Sequence, residues 1–396
     1  LYQHRTGKAE FAGQNPAGSV LLSERRSVKM GGIEDYIKWR GDLTFEQSAF
    51  NEVDNLVLSQ IAYVDFKNII PAAGSKEKIT LRQAAHDFFD LNDEEELQKV
   101  TSFIREAPFF MRIAAESRRF GDIVLSDYAD VTDDHEEKQF AAFCAELPDD
   151  TYYIAFRGTD DTIIGWKEDF NMGVMMPVPS QLEAVEYVNT VMRWKRGKLR
   201  LGGHSKGGNL AIYAAVFAKP SIQRKVVKVY NNDGPGFTKE MIESEAYRKM
   251  LPQIQTIVPQ HSLVGMLLWQ EEEYLVVCSS QTGIMQHDAM SWQVEGKCFV
   301  TCPSLSANSK NFHEAITSWL EGLSAKEREK FVDTLFELIT ASGAKTLSDI
   351  NADILRSANA TIKMFGTLDA GTKGLLLKIL KALSTEIKRA RKSKNR

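Results

Sequence analysis

The sequence contains few cysteines for its length, and none of them forms a metal-binding pattern. There are 4 cysteines in 396 residues, namely Cys144, Cys278, Cys298 and Cys302. Because no Cys-x-x-Cys pair occurs, the spacing argues against a zinc ribbon, and so few cysteines argue against a framework of disulfide bonds. We therefore expect reduced cysteines and a cytoplasmic location.

Long apolar runs and a large excess of charge of one sign are also missing. No stretch approaches the roughly 18 consecutive apolar residues that a transmembrane segment needs. The first residues lack the pattern of a signal peptide. The net charge of −4 gives no reason to expect a nucleic acid as partner, and the basic stretch at 388–396 is interpreted as a solvated tail.

The order of patterns along the chain predicts an α/β protein with helical extensions. Residues 1–29 show little periodicity and are interpreted as a leader outside the core. Residues 30–119 have helical patterns, short β-rich runs alternate with helical ones over 120–305, and helical patterns return over 306–396. Such alternation is typical of a mostly parallel central sheet flanked by helices. We expect an N-terminal helical layer, an α/β core and a C-terminal helical region that ends in the basic tail.

One short stretch, GGHSKGGNLAIYAA at residues 202–215, has the pattern of a nucleophile elbow. In Gly-x-Ser-x-Gly the serine lies on a tight turn between a strand and a helix, and only small neighbours leave room for that turn. A strand-like run ends in glycine just before Ser205, and good helix formers follow it. A glycine-rich loop that binds phosphate at a helix N-terminus is the alternative. The flanking patterns favour Ser205 as a nucleophile.

With the elbow at the centre of its β-rich alternation, the sequence resembles the α/β-hydrolase superfamily. A second stretch, YIAFRGTDDTIIGWKEDFNMGVMMPVP at residues 153–179, resembles a segment of class 3, fungal-type lipases. In those lipases Phe-Arg-Gly-Thr ends a strand, and a tryptophan and an aspartate follow on a short helix. The matching residues are Phe156, Arg157, Gly158, Thr159, Trp166 and Asp169. The sequence is also similar to a bacterial branch of lipase-like proteins, and the resemblance implies an α/β-hydrolase fold.

The second stretch supplies an expected oxyanion hole and lid. Acyl transfer builds negative charge on the carbonyl oxygen, and two preorganised N–H donors stabilise that charge. One donor is expected on Lys206, directly after the nucleophile, and the resemblance assigns the other to Thr159. Arg157 is interpreted as a structural ion-pair partner. The resemblance also implies a mobile lid, although packing against the sheet explains the same residues, which are Ile163, Ile164, Trp166, Met175 and Met176.

A serine nucleophile needs a general base, and elimination among the 7 histidines leaves His287. The expected order along the chain is serine, then acid, then histidine after the last strands. His261 and His287 both follow the nucleophile outside a helical pattern, and only His287 lies in a loop just after a strand-like run. His204 adjoins Ser205, and its side chain is expected to point away from the hydroxyl. A surface histidine without a catalytic role is the competing interpretation of His287.

The acid of the expected triad departs from the resemblance. Class 3 lipases carry an aspartate after the strand that corresponds to IQTIVP, but Ser262 stands at this place. Asp233 is the expected substitute because it ends the strand that follows the elbow helix. A turn before glycine and proline also explains Asp233 without catalysis, so both interpretations stay open. Ser262 is the alternative third member of the triad. Asp288 directly follows His287 in the sequence, so its carboxylate is not expected to reach Nδ1 of the His287 ring.

Together these residues predict a serine hydrolase that cleaves carboxylic esters, including lipid esters, through a covalent acyl-enzyme. The mechanism requires no metal and no cofactor. The expected partner is a small-molecule or lipid ester, with transient contact to a membrane surface. A thioesterase would use the same residues. A weak or inactive hydrolase fold that serves as a binding scaffold is the other alternative, and the missing acid at Ser262 favours it.

Overall fold

The computed structural model describes residues 31–100, 104–133, 135–160, 162–173, 175–340 and 373–374. The predicted leader lies outside these residues, and so does nearly all of the C-terminal region after residue 340, including the basic tail. The fold is therefore described for the predicted helical layer, the predicted core and the first helices of the C-terminal region.

Short helices, three of them with polar N-caps, make up the region before and around the first strand. They are α1 (Ile33–Arg40), α2 (Glu52–Ile61), α3 (Leu81–Leu91), α4 (Glu94–Lys99) and α5 (Ala107–Glu116). The side chains of Asn51, Thr80 and Asp93 accept hydrogen bonds from backbone N–H groups in the first turns of α2, α3 and α4. Nearly all of α2 is buried, because this helix packs between the sheet and α1 and α5.

Among the described residues the core is an 8-stranded sheet whose strands lie side by side in chain order. The strands are β1 (Ile79–Thr80), β2 (Val124–Asp133), β3 (Lys138–Glu146), β4 (Tyr152–Phe156), β5 (Leu199–His204), β6 (Val226–Asn232), β7 (Ile254–Pro259) and β8 (Tyr274–Val277). Strands β1 to β4 pair antiparallel, and β4 to β8 pair parallel. A separate hairpin follows, formed by β9 (Val294–Glu295) and β10 (Cys298–Phe299).

Parallel neighbours need crossover connections, and α-helices supply those between β4 and β7. The remaining helices are α6 (Ile163–Asn171), α7 (Pro179–Val191), α8 (Lys206–Phe217), α9 (Pro220–Gln223), α10 (Lys239–Ile242), α11 (Glu245–Met250), α12 (Ala307–Glu321) and α13 (Ala325–Thr340). Side chains alternate along β3: Phe143 and Ala145 pack with the N-terminal helices, and Ala142 and Cys144 pack with α7 and α8. Both faces of the sheet are thus buried, which confirms the expected α/β-hydrolase fold with a mostly parallel sheet flanked by helices.

The cysteine argument from the sequence is wrong for Cys278 and Cys302, which form a disulfide bond. The chain returns antiparallel to β8, so that Val277 bridges Thr301 and the Cys278 N–H donates to the Val300 carbonyl at 2.8 Å. This pairing depends on the register of two segments, and a count of cysteines cannot detect it. The expectation of reduced cysteines, and the cytoplasmic location inferred from it, therefore lose their basis.

Candidate active site

Ser205 occupies the turn between β5 and α8. Its backbone has φ 57° and ψ −132°, a conformation that residues other than glycine rarely adopt. The neighbouring glycines make this turn fit. A Cβ on Gly203 would lie 2.3 Å from the carbonyl carbon of Gly207, and a Cβ on Gly207 would lie 2.2 Å from the carbonyl oxygen of Phe156. Such backbone strain is concentrated at functional sites, where close packing maintains it.

The Ser205 hydroxyl lies within hydrogen-bond distance of the His287 imidazole. Ser205 is 7% exposed, and its Oγ lies 3.1 Å from His287 Nε2. His287 ends a short 3₁₀ turn in the loop after β8, and its Nδ1 lies 2.7 Å from Asp233 Oδ2. Because a carboxylate only accepts hydrogen bonds, Nδ1 carries the proton and Nε2 accepts from the hydroxyl. The structure thus brings together Ser205, His287 and Asp233, the residues named from the sequence.

Asp233 is completely buried at the end of β6. Its Oδ1 accepts hydrogen bonds from the Ser262 hydroxyl at 2.5 Å and from the Gly265 N–H at 3.2 Å. A buried carboxylate is costly unless its oxygens are hydrogen-bonded, and Asp233 meets this condition with both oxygens. Among the described residues Ser262, the alternative third member, therefore contacts the acid rather than the imidazole of His287.

His204, which is itself hydrogen-bonded to Tyr63, holds the backbone of His287. The His204 ring lies 2.8 Å from the His287 carbonyl through Nε2 and 2.9 Å from the Tyr63 hydroxyl through Nδ1. The carbonyl only accepts, so Nε2 of His204 donates and Nδ1 accepts from Tyr63. Burial, and the neighbouring His287, lower the pKa of His204 well below 6.5, so this ring stays neutral.

Tyr63 follows α2 and is separated from His204 by 141 residues in the sequence. No local motif marks it, because an isolated tyrosine after a buried helix has the pattern of a core residue. Sequence reasoning therefore missed Tyr63, and only the folded chain identifies its contact with the elbow.

The expected oxyanion donors lie on two segments that touch each other. Lys206 opens α8, so its backbone N–H has no acceptor within the helix. Thr159 follows β4 next to Gly158, where an added Cβ would lie 2.5 Å from the His204 backbone oxygen. The segment after β4 is therefore packed directly against the elbow.

Side-chain contacts fix the segment after β4 as well. The Thr159 hydroxyl donates to Asp169 Oδ2 at 2.6 Å. Burial raises the pKa of Asp169 to about 6, although the positive charge of Lys206 lowers it. Arg157 pairs with Asp130 through both terminal nitrogens, at 3.1 and 3.2 Å, as expected for a structural ion pair.

An apolar cavity opens beside Ser205. Its volume is ≈ 790 Å³ with the open mouth included. The residues with polar side chains in its lining are Ser205, Trp166, Asp169 and Arg328. The apolar wall comes from α6, from the chain after β7 and from α12, with Phe170, Val264, Leu267, Leu268, Ile316 and Leu320. A mostly apolar wall with a few polar groups is typical of a small-molecule binding site.

The predicted lid residues lie in different environments. Trp166 lines the cavity, Met175 is exposed, and Met176 packs partly buried against the core beneath α7. The side chains of Ile163 and Ile164 lie outside the described part of the structure. Movement of this segment stays a prediction.

The described ranges contain no cluster of histidine, cysteine, aspartate or glutamate side chains that could hold a metal ion. Within those ranges no helix combines the length and the apolar character that crossing a membrane requires.

The fold and the geometry around Ser205 define a lipase-like protein of the α/β-hydrolase class. Residues 114–337 match the family model described as Mbeg1-like. This match spans more than half of the chain, so the chain belongs to the Mbeg1-like family, and the expected resemblance to lipase-like proteins is confirmed.

Two solved structures are similar to the chain at low sequence identity. The crystal structure of M37 lipase is 14% identical, with a TM-score of 0.35 over 55% of this chain and 70% of that chain. A triacylglycerol lipase from Penicillium expansum is 15% identical, with a TM-score of 0.27 over 46% of this chain and 82% of that chain. No curated protein matches the chain significantly.

Proposed function

We propose that the protein is a serine hydrolase that cleaves carboxylic esters and binds the acyl chain in the apolar cavity beside Ser205. The observation that carries this proposal is the hydrogen-bonded series from Ser205 Oγ through His287 to Asp233, at 3.1 and 2.7 Å. Each hydrogen bond has the direction that a general base requires.

In this mechanism Ser205 Oγ attacks the acyl carbon while its proton passes to His287 Nε2. The backbone N–H groups of Lys206 and Thr159 stabilise the negative charge that develops on the carbonyl oxygen. The tetrahedral intermediate then collapses, and the alcohol leaves with the proton from His287. Water attacks the remaining acyl-enzyme with His287 as base, and the carboxylic acid is released. Asp233 orients the imidazole throughout and stabilises its protonated form.

The contacts of Asp233 weaken the binding-scaffold alternative. That alternative depends on Ser262 standing where class 3 lipases carry the acid of the triad. The carboxylate of Asp233 lies 2.7 Å from His287 Nδ1 and can take the place of that acid. A thioesterase stays open as a variant of the same proposal, because attack on a thioester uses the same groups.

Covalent labelling combined with turnover tests the proposal. A fluorophosphonate reacts with an activated serine, so the wild type should be labelled and should hydrolyse p-nitrophenyl esters within a series from acetyl to palmitoyl. A matched thioester series separates the two substrate classes. Ser205→Ala should abolish labelling and turnover while the protein stays folded. Ser221→Ala, at an exposed serine, is the control and should keep both. Labelling and turnover that persist in Ser205→Ala would contradict the proposal.

The apolar cavity also supports a lipid ester and transient contact with a lipid surface. If the segment with Trp166 and Met175 acts as a lid, turnover should rise when the ester forms micelles. Equal turnover of dissolved and micellar esters would assign these residues to packing alone.

A further inference from the structure

A charged side chain is buried directly beside the nucleophile. Lys206 occupies the second variable position of Gly-x-Ser-x-Gly, and its side chain is 1% exposed. Its Nζ lies 3.0 Å from Oε2 of Glu168, which is also 1% exposed, and donates to the Gln139 carbonyl at 2.8 Å. Lysine and glutamate are almost never fully buried unless they are paired. Pairing allows these two side chains to be buried, but it does not explain why charged residues occupy these positions.

Glu168 joins the elbow helix to several neighbouring elements. Its Oε2 also accepts from the Gln139 N–H in β3 at 3.1 Å, and its Oε1 accepts from the Ser180 N–H in the first turn of α7 at 2.9 Å. Glu168 itself lies on α6, and Lys206 opens α8. Because both carboxylate oxygens are hydrogen-bonded, the distance and direction between α6 and the elbow are fixed.

Stability alone gives a weak reason for this pair. Removing two charges from water is costly, and apolar side chains of similar volume often replace a buried ion pair without loss of stability. A hydrogen-bonded ion pair differs from apolar packing in that it fixes a position, since its donors and acceptors meet in only one arrangement.

The next acid along α6 makes a similar contact with the other residue that is expected to supply an oxyanion donor. Asp169 follows Glu168 on α6, and its Oδ2 accepts from the Thr159 hydroxyl at 2.6 Å. Glu168 and Asp169, two consecutive acids of α6, therefore contact Lys206 and Thr159. The backbone N–H groups of Lys206 and Thr159 are the proposed oxyanion donors.

We propose that Glu168 and the Lys206 side chain are positioning residues that set the spacing between the two oxyanion donors. This inference rests on the proposed function. It assigns a role in the transition state to a buried ion pair whose charged groups, among the described residues, hydrogen-bond to β3, α7 and each other rather than to the side chains of Ser205 and His287.

The test removes both charges together. The double variant Lys206→Met/Glu168→Gln leaves the backbone N–H of residue 206 in place and leaves an acceptor at residue 168. We expect kcat to fall about 10- to 100-fold, since displacement of a transition-state donor costs turnover, while KM changes little. The rates are normalised to the concentration of active sites, so that loss of folded protein does not count.

A second readout separates positioning from a structural role. A trifluoromethyl ketone forms a hemiketal with the nucleophile, and its oxyanion occupies the same hole. Its affinity should fall in parallel with kcat, although KM for the ester does not change. Glu168→Asp keeps the charge but shortens the side chain. This variant should lower kcat and inhibitor affinity with a smaller change in melting temperature, and it keeps the test informative if the double variant unfolds.

A second buried ion pair provides a matched control. Arg119 and Asp54 pair at 2.5 Å with side chains 1% and 0% exposed, in the N-terminal helical region. Arg119→Met/Asp54→Asn should change stability and leave kcat and inhibitor affinity unchanged. If the variants of Glu168 and Lys206 behave like this control while the wild type is active, the positioning role is wrong and the proposed function stands. A wild type without turnover or labelling would overturn both.

Discussion

The two segments that meet at Ser205 are held by different interactions. The base loop, residues 279–301, is held beside the elbow by the neutral ring of His204, and the disulfide bond joins the residues on either side of it. The oxyanion segment, residues 157–160 and 162–173, is held by buried charges, above all by the ion pair of Glu168 with Lys206. Apart from the contact of the His287 ring with the Asp233 carboxylate, the backbone of the base loop is therefore held by a hydrogen bond between neutral groups, whereas the oxyanion segment is held by an ion pair.

The difference follows from what each segment must do. In the proposed reaction the imidazole of His287 takes up and releases a proton, and a further charge held against it would favour one of these two forms over the other. A neutral support such as His204 adds no such charge. The backbone N–H groups of the oxyanion segment do not titrate, so an ion pair can hold them without changing their chemistry.

The largest effect is expected where the base loop meets the buried acid. Asp233→Asn keeps the side-chain shape but presents an amide N–H where the carboxylate accepted, which favours the wrong tautomer of His287. We expect kcat to fall about 10⁴-fold in ester turnover. Ser262→Ala removes one hydrogen bond to the same carboxylate and should cost less than about 10-fold. Equal losses in both variants would mean that the carboxylate is structural.

A smaller effect is expected from the neutral support of the base loop. His204→Phe removes the donor to the His287 carbonyl and should lower kcat about 10- to 100-fold with little change in KM. His204→Gln keeps an N–H donor and should recover part of that loss. Because His204 stays neutral, the pH dependence of kcat/KM should not move in either variant. A shifted pH profile would contradict the assignment of His204 as a neutral group.

The smallest effect is expected in the pH dependence of stability on the oxyanion side. Burial raises the pKa of Asp169 from 3.8 to about 6, so the folded protein binds more protons than the unfolded chain between these pH values. Stability from this group is therefore lost as the pH rises through that window. Relative to wild type, Asp169→Asn should gain on the order of 1 kcal/mol between pH 4 and 7 in thermal unfolding.

Asp160 on the same segment provides a comparison of opposite sign. Burial alone would raise its pKa, but hydrogen bonds from Thr162 and Gln139 outweigh burial and lower it. Asp160 therefore stabilises the folded protein above its unfolded pKa, and that contribution is lost as the pH falls. Asp160→Asn should lose stability at neutral pH and approach the wild type in acid. The same trend in both variants would show that the two acids are not distinguished by their surroundings.

Local patterns in the sequence predicted the features that depend on neighbouring residues. The elbow is read from the glycines around Ser205, because the tight turn itself excludes larger side chains. The fold class follows from the alternation of strands and helices, and it is confirmed. The positions of His287 and Asp233 after predicted strands favour them as base and acid, and their contact in the structure depends on the parallel sheet, which brings strand ends to one edge.

Contacts between segments that are far apart in the sequence account for the features that local patterns could not predict. The hydrogen bond of Tyr63 to His204 depends on how the N-terminal helices pack on the sheet. The burial of Lys206 contradicts the usual exposure of lysine and needs an acid from another helix. The bond between Cys278 and Cys302 depends on an antiparallel register that neither cysteine indicates alone.

The disulfide bond makes the base loop a closed covalent ring that includes His287. Met285, two residues before His287, is exposed in this ring, and an exposed loop position is where proteases cut a chain. After a single cut inside the ring the two halves of the protein would still be joined through sulfur. Such a nicked molecule would migrate as one band on a denaturing gel, and as two bands only after reduction.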